Sequence, residues 1–257
     1  MFAVIDKPSS PKEYNSLPGI MEADAAIKPF QGPLDQLVDQ GSEVCSSTPF
    51  ALGVTGAFLL HKHWEVQAGE RMIERPGRHP SGRPALITSA RRFPKTSTVA
   101  PSRFKVDPQR RELVPLEFSS DEFVVQVWHA LREHPTFLES VCRLIGDSGL
   151  ADQIGFAIFA RAAVPVMEGE EVVEENWSKK SVLSAQVLVE NEQEVFVPTG
   201  WAFVSASESD LMAASTQCIA YCMLFAGFHC SHHYNRPETL PEKLATAPPP
   251  VCQLHDD

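Results

Sequence analysis

The chain has 257 residues, of which 43% are hydrophobic and 21% charged, and its formal net charge is −11. That length holds one large domain or two small ones, with enough apolar material for a sizeable core. So acidic a whole excludes indiscriminate nucleic-acid binding, and the apolar runs are too short to span a membrane.

The charge is uneven. Between Arg71 and Arg111 stand nine Arg and two Lys against Glu74 and Asp107, leaving the remainder at −20. The first ten residues, MFAVIDKPSS, contain no long apolar segment and carry Asp6, a poor secretory signal. A cytoplasmic protein is therefore expected, its six cysteines serving as thiols or metal ligands rather than a disulfide framework.

Residues 1–44 read as a Pro-rich, extended lead-in, with a short helix-like piece, PLDQLVDQG, opened by Pro33 and closed by Gly41. A single domain is expected over 45–236. FALGVTGAFLLHKHW and ERMIE read as strands about a turn at Gln67-Ala68-Gly69, followed by strands in PALITSARRF and ELVPLEF. Two helices occupy the centre. Ser120 is positioned to cap the first, whose Phe123, Val124, Val127, Trp128 and Leu131 recur at spacings of three and four. Pro135 separates it from the second, which carries Phe137, Leu138, Val141, Leu144 and Ile145 and stops at Gly146 and Gly149. Alternation of period two returns in QIGFAIFARA, EEVVEENW, VLSAQVLVEN, EVFVPTG and WAFVSAS, which predicts five more strands. TQCIAYCMLFAGFHC fits strand or helix. Residues 237–257, rich in Pro and Ala, read as a disordered tail. Strands, two helices, then strands predict an α+β fold with mainly antiparallel sheet and two central helices.

The phosphate-cradling glycine loops, Gly-x-Ser-x-Gly and Cys-x-x-Cys are all absent. His129 and His134 fail as a helical metal chelate, since five residues turn the second about 140° from the first. His61 and His63 are better placed: alternate residues of a strand share a face, so two imidazoles there can begin a zinc, iron or copper site. The following Glu65 and Glu70 do not stand where a cupin motif needs its Glu. A second group, Cys218, Cys222, His229, Cys230, His232 and His233, is dense in soft ligands and suits a tetrahedral structural zinc. His61 and His63 could also share one site with His232 or His233. Arg75, Arg78 and Arg83 lie on a Gly/Pro-rich stretch that could clamp a carboxylate or phosphate, although such runs are usually solvated. Cys142 would be a nucleophile only beside a His, and core packing suits it better. The four tryptophans read as core anchors.

The run GAFLLHKHWEVQAGERMIE, with VPTGWAFVS and the Cys/His stretch after it, resembles segments of small uncharacterised fungal intracellular proteins. The resemblance implies a fungal intracellular protein and transfers no catalytic residue. Three functional expectations follow. The first is a metal-dependent enzyme acting on a small molecule, in the setting of fungal specialised metabolism, with His61 and His63 as first ligands. The second is a non-catalytic interaction protein with a structural zinc in the Cys/His cluster. The third is a metal-free pocket in which one His acts as a base. Neither a nucleic-acid nor a membrane partner is expected.

Overall fold

The central hairpin pairs β2 (Glu70–Arg78) with β3 (Pro84–Arg92), strands whose buried residues come in adjacent pairs: Met72-Ile73 on β2, Ala85-Leu86 and Thr88-Ser89 on β3. Its antiparallel register runs from Glu70↔Arg92 to Arg78↔Pro84. Gly69 and Gly82 take φ of +81° and +86°, left-handed values that suit glycine in the turns at the two ends of the hairpin. In the computed structural model the described residues are 52–56, 66–94, 99–147, 149, 151–152, 154–159, 164–167, 170–177, 180–187, 195–204, 215–224 and 230–234. Only the backbone is described in 52–56, 171, 176–177, 195–204, 215–224 and 230–234.

The remaining strands are β1 (Leu52–Gly56), β4 (Ala100–Asp107), β5 (Glu112–Ser119), β6 (Ile154–Ile158), β7 (Glu170–Trp177) and β8 (Lys180–Val187), then β9 (Val195–Val204), β10 (Ser215–Leu224) and β11 (Cys230–Tyr234). Between β5 and β6 lie α1 (Glu122–Arg132) and α2 (Pro135–Asp147). The sheet order is β1-β6-β4-β5-β2-β3-β8-β7-β11-β10-β9. Strands β2 to β8 curl into a half-barrel, and the backbones of the other four complete the ring where β1 pairs with β9 at Val54↔Trp201. The α+β class therefore holds, but the sheet is mixed rather than mainly antiparallel. β2 runs parallel to β5, with Glu74 opposite Ser119, because β3 and β4 intervene in sequence but not in space.

The core sits where the helices meet β4 and β6. Phe104 is wholly buried, its ring centroid 5.4 Å from that of Trp128 and 5.8 Å from that of Phe156. Phe137 of α2 reaches Phe156 from the other side, edge-on at 6.0 Å. Most of the predicted helical stripes are buried: Val124, Val127, Trp128 and Leu131 on α1, and Phe137, Leu138, Val141 and Ile145 on α2, while Phe123 and Leu144 are only half-buried beside them. Each such side chain removed from water contributes about 1.5–3 kcal/mol.

Three local expectations are corrected. Asp121, not Ser120, caps α1: its carboxylate accepts from the backbone N–H of Phe123 at 3.0 Å and of Val124 at 3.4 Å. Ser120 instead gives its N–H and hydroxyl to the Glu74 carbonyl at 2.8 and 3.4 Å. EVFVPTG and WAFVSAS form the single strand β9, which passes through Pro198 and Gly200 without a break. The ambiguous TQCIAYCMLFAGFHC contains strand β10, with register irregularities between Cys218 and Tyr221. The lead-in, the PLDQLVDQG piece and the tail lie outside the described residues. Among the described residues no helix is long and apolar enough to cross a membrane.

Candidate functional site

Polar side chains gather where β5, β2, β3 and β8 run side by side. The registers Ser119↔Glu74, Glu74↔Thr88 and Thr88↔Ser181 set four polar residues in one row across these strands. Ser119, Thr88 and Ser181 are buried, and Glu74 is half-buried. Buried polar groups of this kind persist when hydrogen-bonded, and these largely are. Ser119 Oγ donates to the Glu74 carboxylate at 2.8 Å and accepts from the Asp121 N–H at 3.1 Å. Ser181 Oγ donates to the carboxylate of Glu174, itself a buried residue of β7. On the neighbouring strand pair, Arg103 holds buried Glu117 at 3.2 Å.

The electrostatics single out Glu74. Desolvation pushes its carboxyl up to about 7, and the charges of Glu174 and Asp121 push the same way. The Ser119 hydrogen bond and the Arg103 guanidinium oppose the rise without cancelling it. Asp121 is also raised by desolvation, against the two N–H groups that it caps. A carboxyl titrating near neutrality can take a proton and give it back at physiological pH, which an ordinary surface Glu cannot.

This group is absent from the motif-based candidates. Its sequence signal is local: alternation puts Glu74 in step with buried Met72, and Glu174 in step with buried Val172. A carboxylate in phase with the apolar face of a strand is unusual enough to mark.

The expected metal ligands divide in two. His61, His63 and His229 lie outside the described residues. Cys218 and Cys222 are on β10, and Cys230, His232 and His233 on β11. The backbone register sets Cys222 opposite His232 and, on the other side of β11, His232 opposite Glu174. Cys, His and Glu thus occupy one row over three strands. Among the described residues no three His, Cys, Asp or Glu side chains form a group suited to a metal ion.

The basic stretch is split by the hairpin. Arg75 and Arg78 are exposed on β2, and Arg78 Nη1 donates to the Gly82 carbonyl at 2.8 Å. Arg83 is committed elsewhere, 2.5 Å from buried Glu170 and 3.0 Å from the Ala185 carbonyl. Its hydrogen bond holds the Glu170 carboxyl below the usual range despite desolvation. His129 and His134 are both exposed. Cys142 is buried on α2; desolvation, with Glu112 and Glu139, pushes its thiol up to about 12, so it is protonated at neutral pH. Trp128 is a core anchor, while Trp64, Trp177 and Trp201 have no described side chain.

No protein family, no curated protein and no solved structure matches this chain.

Proposed function

We propose that the protein is an enzyme acting on a small molecule, with Glu74 as the group that takes up and returns a proton. The observation that carries this reading is the Glu74 carboxyl itself, desolvated and raised to about 7 between Ser119, Arg103, Glu174 and Asp121. General acid–base catalysis works best when the group titrates near the operating pH. The metal-dependent form of the reading draws on the His61 and His63 pair, whose spacing suits zinc, iron or copper on a strand. A metal there would polarise a bound substrate, and Glu74 would handle the proton.

The runner-up is a non-catalytic interaction protein with a structural zinc. It is favoured by the pairing of Cys222 with His232 on adjacent strands, drawn from the Cys218, Cys222, His229, Cys230, His232 and His233 cluster. Turnover of a panel of esters, amides and phosphomonoesters, followed from about pH 5 to about pH 9, tests the first reading. The expected result is a rate that inflects near 7 in the wild type and collapses in Glu74→Gln. Equal turnover in both proteins, or none in the wild type, overturns it.

A further inference from the structure

The β2–β3 hairpin gathers positive charge on one face, without carboxylate partners among the described residues. Arg71 stands opposite Arg91, Ile73 opposite Ser89 and Arg75 opposite Ile87. Alternate residues of paired strands share a face, so Arg71, Arg75 and Arg91 belong to one side of the hairpin and Glu74 to the other. Contacts agree with that placement, since Arg91 Nε donates to Ser89 Oγ at 3.0 Å. Arg71 Nη1 donates only to the neighbouring Glu70 carbonyl at 2.5 Å. Its Nε is buried and has no hydrogen-bond partner among the described residues.

The ion pairs seen among the described residues engage His79, Arg83, Arg103 and Arg110, and none engages these three. Instead Arg75 acts on Arg91, and Arg71 is desolvated. Desolvation and then the charge of Arg75 lower the pKa of Arg91, and desolvation lowers that of Arg71. Like charges set across a strand pair are destabilising, and a buried N–H without an acceptor forfeits the hydrogen bond that it had with water. A phosphate-type oxyanion removes both penalties. It offers several acceptor oxygens to planar guanidinium forks and brings the missing negative charge.

We propose that Arg71, Arg75 and Arg91 form a binding site for the phosphate group of a small molecule, on the face of the hairpin opposite Glu74. The site is independent of the proton-transfer reading. Arg83, expected from sequence to join Arg75 in an anion clamp, is excluded by its bond to Glu170, and Arg71 and Arg91 take its place.

Titration calorimetry of inorganic pyrophosphate into the full chain at low salt tests the proposal. Saturable binding is expected, weakened about tenfold or more in Arg75→Gln/Arg91→Gln, because hydrogen bonds to charged groups contribute about 1.5–3 kcal/mol. The control Arg78→Gln/Arg92→Gln makes the same change in net charge at exposed positions and should bind as the wild type does. Arg71→Gln should weaken binding while leaving the melting temperature unchanged or raised. Absence of binding by the wild type, or equal loss in the two double variants, overturns the site. Sedimentation with phosphatidylglycerol vesicles separates the sources of the anion. Capture by vesicles without pyrophosphate binding overturns the small-molecule assignment.

Discussion

Replacing Glu74 by Gln keeps the size of the side chain and its ability to accept from Ser119, but removes the charge. In the wild type the folded carboxyl titrates near 7 against an ordinary value of 4.5. Between those values the folded protein keeps a proton that the unfolded chain has already lost, so stability falls as pH rises through the window. The separation corresponds to at most about 3.4 kcal/mol. Glu74 is only half-buried, and residual solvent reduces the effect to about 1–3 kcal/mol. Urea unfolding, followed by tryptophan fluorescence at a series of pH values, measures it. Wild type and Glu74→Gln should coincide in stability below 4.5, with the variant more stable by about 1–3 kcal/mol above 7. Parallel pH curves would refute the reasoning, because they would mean that the carboxyl keeps enough water or positive charge to ionise normally.

Phe104→Ala removes the fully buried ring between Trp128 and Phe156, and should cost about 3–5 kcal/mol in equilibrium unfolding. Asp121→Ala deletes the cap of α1 and should cost about 0.5–2 kcal/mol; Ser120→Ala, which touches only the Glu74 carbonyl, should cost less. Metal per chain, measured by plasma mass spectrometry on wild type, His61→Ala/His63→Ala and Cys218→Ser/Cys222→Ser, ranks the two ligand sets. Loss with the histidines is the expected outcome; loss with the cysteines alone would favour the structural zinc, and equal content in all three would remove both sets.

The elements that could be read from the sequence are those in which one period dominates. α1 and α2 carry their apolar residues at spacings of three and four with Pro135 between them, and most of each stripe is buried. ERMIE and PALITSARRF are short apolar runs bounded by turn residues, and they pair as expected of neighbouring strands. Strand partners are not local information, so nothing near Glu74 in sequence announces that Ser119 will lie beside it in parallel, and the mixed character of the sheet was hidden for the same reason. The cap of α1 moved by one residue because Ser120 and Asp121 both suit the position, and the Glu74 carbonyl claims Ser120. Of the site, the sequence showed the residue types rich in metal chemistry. It did not show the desolvated carboxyl, whose character comes from neighbours 45 and 100 positions away, Ser119 and Glu174.

The place of β1 in the ring has a consequence for assembly of the chain. Leu52–Gly56 is held on one side by β6 and on the other by β9, strands more than 95 residues later. Made early in synthesis, it can find neither neighbour until most of the protein exists. Contacts so distant along the chain form slowly, and until then β6 and β9 each present a row of unsatisfied N–H and C=O groups. Such rows are templates for a strand from another molecule. A five-residue segment thus guards two edges at once: loss of residues up to Gly56, or delay in their docking, would turn a self-contained ring into an open sheet with two adhesive borders.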